Sequence, residues 1–330
     1  MAKLVKKFKG GSLSSTNLME ESGKLFVRKS VSLVDNREYG FQRWYSQLKK
    51  LQRYSVMYPD LFPPVLNYGK TDEESYFDIE FYENSINAHQ YLEDCDSQKK
   101  VDIFFKSLIS SIDRLHKNKF NTSKGSMDLY VHEEIDQRLK DCYTEKFFLD
   151  FVKNKKIIFN GKEINSFVES LSVYKTMLKK HFKETSEIFS HGNMTLENIL
   201  YIPRLERVVF IDPYEENIID SELAEYSQLL QSSNSNYEIY NSRKAKVYKN
   251  NISLQINKPF GISYFNELIY SYIKNKFNSD QLMVIRLLEV SQFIRMLPFK
   301  MTVDKSKMIF FYGLASFLFD SIKDDFNYER

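Results

Sequence analysis

The spacing of apolar residues changes near Tyr82, and this change limits the chain to folds that combine a sheet with helices. Before Tyr82 the apolar residues alternate with polar ones or form short β-branched and aromatic runs, which is typical of strands. The predicted strands are Leu4 to Phe8, Lys24 to Val31, Val65 to Gly69 and Tyr76 to Tyr82. One amphipathic helix, from Asn36 to Tyr54, is predicted to interrupt them.

Beyond Tyr82 the apolar residues recur every three or four positions over long stretches, which predicts a mostly helical remainder. The predicted helices are Val101 to Lys117, Glu133 to Lys153, Ile164 to Thr185, Ser263 to Asn275, Gln281 to Met296 and Lys305 to Asp325. Strands followed by helices are typical of α+β proteins. We therefore expect an N-terminal lobe of residues 1–84 and a helical C-terminal lobe of residues 85–330.

Composition excludes several classes of protein. The chain of 330 residues is 42% hydrophobic and 28% charged, so it has enough apolar side chains to build a core. The formal net charge of +3 gives no strong field for a polyanion, and we expect no nucleic-acid partner. Cys95 and Cys142 are the only cysteines, and they lack the paired spacing of zinc sites or disulfide frameworks. They suit a reducing cytoplasm.

The sequence offers no segment that could span a membrane. The longest apolar run, Met308 to Phe319, covers about 12 residues, against the roughly 20 that a spanning helix requires. The lysine-rich N-terminus contains no apolar stretch of signal-peptide length. We expect the apolar run to be a buried helix and the protein to be cytoplasmic.

The most informative segment is Ser190-His191-Gly192-Asn193-Met194-Thr195-Leu196-Glu197-Asn198-Ile199-Leu200-Tyr201, followed by Val208-Val209-Phe210-Ile211-Asp212-Pro213. A loop leads into a short strand, a turn follows at Pro203, and a second strand ends before Asp212. A hairpin of this kind places Asn198 and Asp212 side by side at the strand ends. The alternative is an ordinary hairpin whose polar residues only form turns.

In residue types and spacing this segment resembles small-molecule phosphotransferases related to aminoglycoside phosphotransferases and choline kinases. Those enzymes carry His-Gly-Asp, an Asn five residues after the Asp, an apolar strand and a second Asp. His191, Gly192, Asn198 and Asp212 match, whereas Asn193 takes the place of the catalytic Asp. The resemblance implies a protein-kinase-like two-lobed fold that binds ATP and Mg²⁺.

The same resemblance assigns roles to these residues. Asn198 and Asp212 become the magnesium ligands, in agreement with the preference of Mg²⁺ for hard oxygen donors. Position 193, beside His191, is where the family's Asp orients or accepts the proton of the attacking hydroxyl. A carboxylate can accept that proton and the neutral amide of Asn193 cannot. Asn193 is either an engineered replacement of Asp or natural to a non-catalytic protein, and the sequence leaves both open.

The resemblance also extends to the predicted N-terminal lobe. Gly11, Ser12, Ser14 and Ser15 belong to a cluster of small residues that would form the phosphate-covering loop, although such clusters also form plain turns. Lys29, or less favourably Arg28, would neutralise the α- and β-phosphates, with Glu38 at the start of the helix holding it. Strand alternation places residues 28 and 29 on opposite faces. The alternative is an exposed lysine and a first-turn glutamate.

Two further regions complete the resemblance. Glu80, Phe81 and Tyr82 lie where the lobe-connecting segment of the family meets adenine, although strand ends also carry aromatic residues for packing alone. The acceptor would be held by the helical lobe. The acidic residues Glu133, Glu134 and Asp136 could meet a cationic amine there, but a solvated helix face is the favoured alternative.

We therefore expect an ATP-dependent kinase that phosphorylates a hydroxyl group of a sugar, amino sugar or amino alcohol. The alternative is a nucleotide-binding scaffold without transfer activity that regulates a partner. A protein kinase is disfavoured because Asp212-Pro213-Tyr214 stands where Asp-Phe-Gly would be, and no Ala-Pro-Glu sequence follows.

Overall fold

The computed structural model of the chain describes residues 2–8, 14–34, 37–120, 125–183, 186–214 and 216–326, without the side chains of residues 37–39. The strands are β1 Lys3–Phe8, β2 Ser15–Glu21, β3 Lys24–Ser32, β4 Val65–Lys70, β5 Glu74–Glu80, β6 Ile86–Asn87, β7 Lys119–Phe120, β8 Lys156–Phe159, β9 Lys162–Asn165, β10 Glu187–Ile188, β11 Ile199–Ile202, β12 Arg207–Phe210, β13 Lys246–Tyr248 and β14 Asn251–Ser253. The α-helices are α1 Arg37–Met57, α2 Ala88–Glu93, α3 Gln98–Leu115, α4 Ser126–Tyr130, α5 Arg138–Cys142, α6 Lys146–Val152, α7 Phe167–His181, α8 Glu222–Ser233, α9 Tyr237–Ser242, α10 Phe260–Lys276, α11 Ser279–Arg295, α12 Leu297–Met301 and α13 Lys305–Asp325.

The chain divides into two compact units. Unit 1 comprises Met1–Tyr91, Lys106–Leu115 and His191–Asn217, and unit 2 comprises Leu92–Phe105, His116–Ser190 and Ile218–Arg330. The segment singled out in the sequence, from His191 onward, therefore packs with the N-terminal sheet in one unit. These units are made of discontinuous segments, so they do not define a single lobe boundary along the chain. The lobe boundary between residues 84 and 85 stays a prediction.

Unit 1 begins with an antiparallel sheet of five strands in the order β1-β2-β3-β5-β4. The turn between β2 and β3 is Ser22-Gly23, and both residues have positive φ, 52° and 75°. These angles give the turn the twist that suits the flanking strands. The predicted strand-rich start of the chain is confirmed.

Helix α1 packs on this sheet through one apolar face. Trp44, Leu48, Leu51 and Tyr54 are each at most 6% exposed, and their spacing of three or four residues places them on one side of the helix. Gly40 lets the helix approach closely, since a Cβ there would lie 2.9 Å from Val31 Cγ1. The predicted helix over Asn36 to Tyr54 is confirmed with slightly different ends.

A second, smaller sheet in unit 1 carries the hairpin predicted from the sequence. Strands β11 and β12 pair antiparallel, with Ile199 opposite Phe210 and Ile202 opposite Arg207. Strand β6 pairs with the other edge of β11. Ile199, Val208, Val209 and Phe210 are at most 1% exposed, so burial of apolar side chains fixes the position of the hairpin.

Unit 2 is mainly helical, as predicted, but two predicted helices are wrong in extent. The stretch from Glu133 to Lys153 consists of a π-helical segment Val131–Gln137, helix α5, a turn and helix α6. The stretch from Ile164 to Thr185 contains the end of β9 before α7 begins. Asn160-Gly161, with φ of 49° and 89°, closes a β8–β9 hairpin that was not predicted from the sequence.

The longest apolar run of the sequence lies within α13, where Met308 to Ser316 are all buried. This confirms the predicted buried helix. In the part of the chain that the structure describes, no helix is both long and apolar enough to span a membrane.

Candidate active site

The loop that follows β10 is held by the imidazole of His191, which is fully buried. Its Nδ1 lies 3.2 Å from the Asn193 amide nitrogen, and its Nε2 lies 2.7 Å from the carbonyl oxygen of Ile211. Because an amide N–H can only donate and a carbonyl can only accept, the ring is neutral with its proton on Nε2. His191 therefore ties the start of the loop to the residue directly before Asp212.

Gly192 occupies a backbone conformation that favours glycine. Its φ is +83°, and a Cβ at this position would fall within 3.0 Å of the Asn217 side chain and of the Tyr214 carbonyl oxygen. Both the positive φ and the lack of space exclude a side chain here. The Gly of the His-Gly pair thus lets the loop pass close to the backbone that follows Asp212.

The side chain of Asn198 is directed by two hydrogen bonds. Its Nδ2 donates to the carbonyl oxygen of Asn193 at 2.9 Å and to Thr195 Oγ1 at 3.1 Å. The reverse amide orientation would set Oδ1 against the carbonyl oxygen of Asn193, so the hydrogen-bond network fixes the assignment. These two bonds use the amide nitrogen, so Oδ1 is the atom of this side chain that could serve as a metal ligand.

Asp212 lies one residue beyond the ladder partner of Asn198. The Ile211 amide donates to the Asn198 carbonyl at 2.9 Å, which extends the β11–β12 pairing by one step. Asp212 follows with a positive φ of 57°, and its side chain is 36% exposed. The predicted convergence of the two residues at one end of the hairpin therefore holds for the backbone, while their role as magnesium ligands stays a prediction.

Lys29 on β3 is the cation that contacts this carboxylate. It is 6% exposed, and its Nζ lies 2.5 Å from Asp212 Oδ1 and 3.4 Å from Gln47 Oε1. Arg28 points to the opposite face of the sheet, where it forms a two-bond ion pair with Asp78 at 2.7 and 2.8 Å and stacks on Tyr76. Between the two cations considered in the sequence, the geometry favours Lys29.

Sequence reasoning missed Gln47 and Lys50 on α1. Gln47 Nε2 donates to the Pro213 carbonyl at 3.3 Å, and the buried Lys50 donates from Nζ to the Tyr214 carbonyl. Their signal in the sequence is the position of two polar residues on the apolar face of a helix, where burial requires a partner. Glu38, proposed as the partner of Lys29, has its side chain outside the described residues.

The remaining predicted phosphate-loop residues are described only in part. Gly11 and Ser12 lie outside the described residues. Ser15 Oγ is 2.8 Å from Ser30 Oγ on the neighbouring strand, so this hydroxyl already has a hydrogen-bond partner within the sheet, and Ser14 directly precedes β2. A phosphate-binding role for these residues stays a prediction.

The predicted adenine segment lies at the end of β5. The Glu80 amide donates to the Pro64 carbonyl at 3.3 Å, and the Tyr82 carbonyl accepts from Ser85. The guanidinium of Arg207 stacks on the ring of Tyr82 at 5.4 Å. An adenine-binding role for Glu80, Phe81 and Tyr82 stays a prediction.

Asn193 is half-buried, and both its backbone N–H and its carbonyl form hydrogen bonds. Its N–H donates to His191 Nδ1, and its carbonyl accepts from the Thr195 amide at 2.8 Å and from Asn198 Nδ2. The loop therefore fixes the residue 193 backbone through the same side chains that match the family motif. The residue at the predicted base position is an amide in an otherwise intact loop.

The donor set fits a magnesium ion better than a softer metal. Across the described ranges, no group of three or more His, Cys, Asp and Glu side chains could hold a metal ion. One amide oxygen and one carboxylate are hard donors, and such a small set suits an ion that keeps several waters and also binds phosphates. A site of this kind would depend on the nucleotide to complete its ligands.

Two of the three acidic residues singled out in unit 2 form ion pairs with basic residues. Glu134, 6% exposed, accepts from Arg295 Nε at 3.0 Å and from Arg138 Nε at 3.3 Å. Asp136 pairs with Lys175 at 2.7 Å. Glu133, with a side chain 47% exposed, is the solvated member. Glu134 and Asp136 therefore already have ion-pair partners within the protein, which disfavours them as the binding site of a cationic ligand.

Replacing Glu134 by Gln should lower the free energy of unfolding and make that free energy less sensitive to acid. Burial opposes ionisation, but Arg295 and Arg138 outweigh it, and the pKa of Glu134 lies below its ordinary 4.5. Its charge therefore stabilises the fold fully above about pH 4.5 and progressively less as pH falls through the folded-state pKa. We expect a loss of about 1–3 kcal/mol near neutral pH, and a smaller loss at about pH 4, in urea unfolding followed by circular dichroism. The neighbouring Glu133→Gln should change stability by less than about 0.5 kcal/mol, and equal effects of the two would contradict the ion-pair account.

Comparison with known proteins gives the fold. No family model matches the sequence, and no curated protein matches it. Among solved structures, a thermostable variant of aminoglycoside phosphotransferase APH(4)-Ia, in ternary complex with AMP-PNP and hygromycin B, aligns with a TM-score of 0.60 and 9% identity over 96% of this chain and 94% of that chain. A protein assigned as a fructosamine-3-kinase of Haemophilus somnus 129PT aligns with a TM-score of 0.58 and 13% identity over 96% and 92%. The chain therefore has the protein-kinase-like, two-lobed α+β fold that these structures share.

Proposed function

We propose that this protein is an ATP-dependent small-molecule kinase that transfers the γ-phosphoryl group to a hydroxyl of a sugar, amino sugar or amino alcohol. The observation that carries the proposal is the contact between Lys29 and Asp212, together with the backbone hydrogen bond from Ile211, directly before Asp212, to Asn198. A cation and a carboxylate are thus in contact in unit 1, and Asn198 belongs to the same hairpin as the residue before that carboxylate. One of the structural neighbours is a phosphotransferase in complex with AMP-PNP and hygromycin B, which supports the proposal.

In this proposal the chain acts mainly by positioning and by neutralising charge. The Lys29 ammonium has three N–H donors, of which Asp212 and Gln47 account for two, so the third can bind an α- or β-phosphate oxygen. Asn198 and Asp212 would hold Mg²⁺ through oxygen atoms. Bound there, the ion would offset the negative charge of the triphosphate.

The transfer joins the acceptor oxygen to the γ-phosphorus and breaks the bond from that phosphorus to the bridging oxygen, which leaves with ADP. The proton of the acceptor hydroxyl must also leave, and without a general base it passes to solvent water. Asn193 can orient that hydroxyl by hydrogen bonding, but its amide cannot take up the proton. We therefore expect slow transfer, because positioning and charge neutralisation survive in this site while general-base assistance does not.

A nucleotide-binding scaffold that regulates a partner is the second candidate. One observation favours it: residue 193, the position where the catalytic acid would act, carries the neutral amide of Asn193. Acceptor-dependent consumption of ATP across a panel of sugars and amino alcohols would exclude the scaffold. In either case we place the protein in the cytoplasm, in keeping with two buried free thiols.

Removing the carboxylate of Asp212 tests the site itself. Titration calorimetry with a non-hydrolysable ATP analogue should show tighter binding to the wild type with Mg²⁺ than with a chelator. In Asp212→Ala this gain should shrink by about 10- to 100-fold, since the ion loses a ligand. Asp72→Ala, in the exposed turn between β4 and β5, serves as the control. A wild type without detectable nucleotide binding would refute the proposed function.

A further inference from the structure

Three side chains on one edge of α1 contact the two residues that follow Asp212. Arg43 stacks on the Tyr214 ring at 5.7 Å, Gln47 donates to the Pro213 carbonyl, and Lys50 donates to the Tyr214 carbonyl. Their spacing, i, i+4 and i+7, places them in a row along the helix. We call Arg43, Gln47 and Lys50 the α1 latch.

The Tyr214 carbonyl is a meeting point of this latch and the loop at His191. It accepts from Lys50 Nζ and from Asn217 Nδ2, the latter at 3.2 Å. The Tyr214 amide donates to the His191 carbonyl at 2.8 Å, and Gly192 leaves room for this approach. A shift of the Tyr214 backbone would therefore disturb the loop before Asn193 as well as the segment after Asp212.

Asp212 itself needs this support. Its φ of 57° is unusual for a residue other than glycine, and such a conformation persists where the surroundings over-determine it. Lys29 contacts its carboxylate from β3, and Gln47 contacts both Lys29 and the next carbonyl from α1. Lys50 is only 2% exposed, and a buried ammonium group is costly unless it is hydrogen-bonded. The Tyr214 carbonyl is one acceptor for it.

We propose that the α1 latch positions Asp212 for metal binding, so that Lys50 and Gln47 are positioning residues that act through Asp212. The inference rests on the proposed function for the metal, but the restraint on the backbone exists without any ligand. It also explains why two polar side chains occupy the buried side of α1. A change at Gln47 or Lys50 is then expected to alter the position of Lys29 and of the loop at Asp212 as well.

Lys50→Met is the direct test, because it keeps the length of the side chain and removes its charge and donors. In ligand-free protein, hydrogen exchange of the Tyr214 amide should accelerate by about tenfold or more. The Mg²⁺-dependent gain in affinity for a non-hydrolysable ATP analogue should fall by about 10-fold, as expected for an outer group that orients a ligand. Lys49→Met, at the exposed position directly before Lys50, should change neither quantity.

A second comparison separates positioning from general stability. In an Asp212→Ala background, Lys50→Met should cause no further loss of the Mg²⁺-dependent gain, because the residue through which it acts is absent. If Lys50→Met does not fold, Gln47→Leu tests the same restraint without leaving a buried charge. Unchanged exchange at Tyr214 together with an unchanged Mg²⁺ gain would overturn the latch. A wild type that binds no nucleotide would refute the proposed function, and the exchange measurement would still decide on the latch.

Discussion

Asn193→Asp should raise acceptor-dependent phosphoryl transfer by about 10²- to 10⁴-fold, the usual contribution of a positioned general base. The loop already fixes the backbone of residue 193 through His191, Thr195 and Asn198, so the new carboxylate would occupy a prepared position. Affinity for Mg²⁺ with nucleotide should change little, because Lys29, Asn198 and Asp212 are untouched. Coupled-assay turnover and calorimetry on the same preparations measure the two quantities.

Two variants sharpen this experiment. Asn193→Leu keeps the size of the side chain without polar atoms and should give no gain. Combining Asn193→Asp with Asp212→Ala should remove most of the gain, because the base acts only on a correctly held nucleotide. If Asn193→Asp binds nucleotide and acceptor yet transfers no faster than the wild type, the kinase assignment fails and the scaffold becomes the better description.

Gly192→Ala should destabilise unit 1 by about 2–5 kcal/mol. A left-handed conformation costs an alanine roughly 1–2 kcal/mol, and forcing a methyl group into filled space costs about 1–3 kcal/mol more. The added Cβ would meet the Asn217 side chain and the Tyr214 carbonyl, which is also bound to Lys50. Trp44 is the only tryptophan and lies buried in unit 1, so its fluorescence in urea reports on this unfolding.

Gly23→Ala provides the matched control. Gly23 has a similar φ of +75° in the same unit, but an added Cβ there would meet nothing within 4 Å. It should cost only the conformational part, about 1–2 kcal/mol. The difference between the two variants isolates the crowding at the loop. Equal losses would show that the backbone near Tyr214 yields to a side chain, and would weaken the view that this segment is rigidly held.

Much of the site could be predicted because its residues are close in the chain. Hairpin pairing is local, so the order of polar residues around two short apolar strands was enough to place Asn198 and Asp212 at the same end. The alternation of side chains along a strand likewise predicted that Arg28 and Lys29 point to opposite faces of the sheet. The predicted fold class followed from the change of periodicity near Tyr82, which burial in sheets and helices imposes directly.

Other features depend on contacts between distant parts of the chain. Apolar periodicity could not reveal the break at Tyr143 between α5 and α6, because helical spacing continued across it, and it assigned the end of β9 to the helix that becomes α7. The role of Gln47 was equally hidden. Its partners, Lys29 and Pro213, lie 18 and 166 residues away in the chain.

The sequence alone determined the α+β order of elements and the local chemistry of the His191 to Asp212 segment, since burial periodicity and hairpin pairing act over short separations. Only the tertiary structure decided which cation meets Asp212, which helix side chains hold the backbone after it, and that the acids Glu134 and Asp136 are already paired. Those outcomes depend on packing, which brings charges together across long loops and requires each buried one to find a partner.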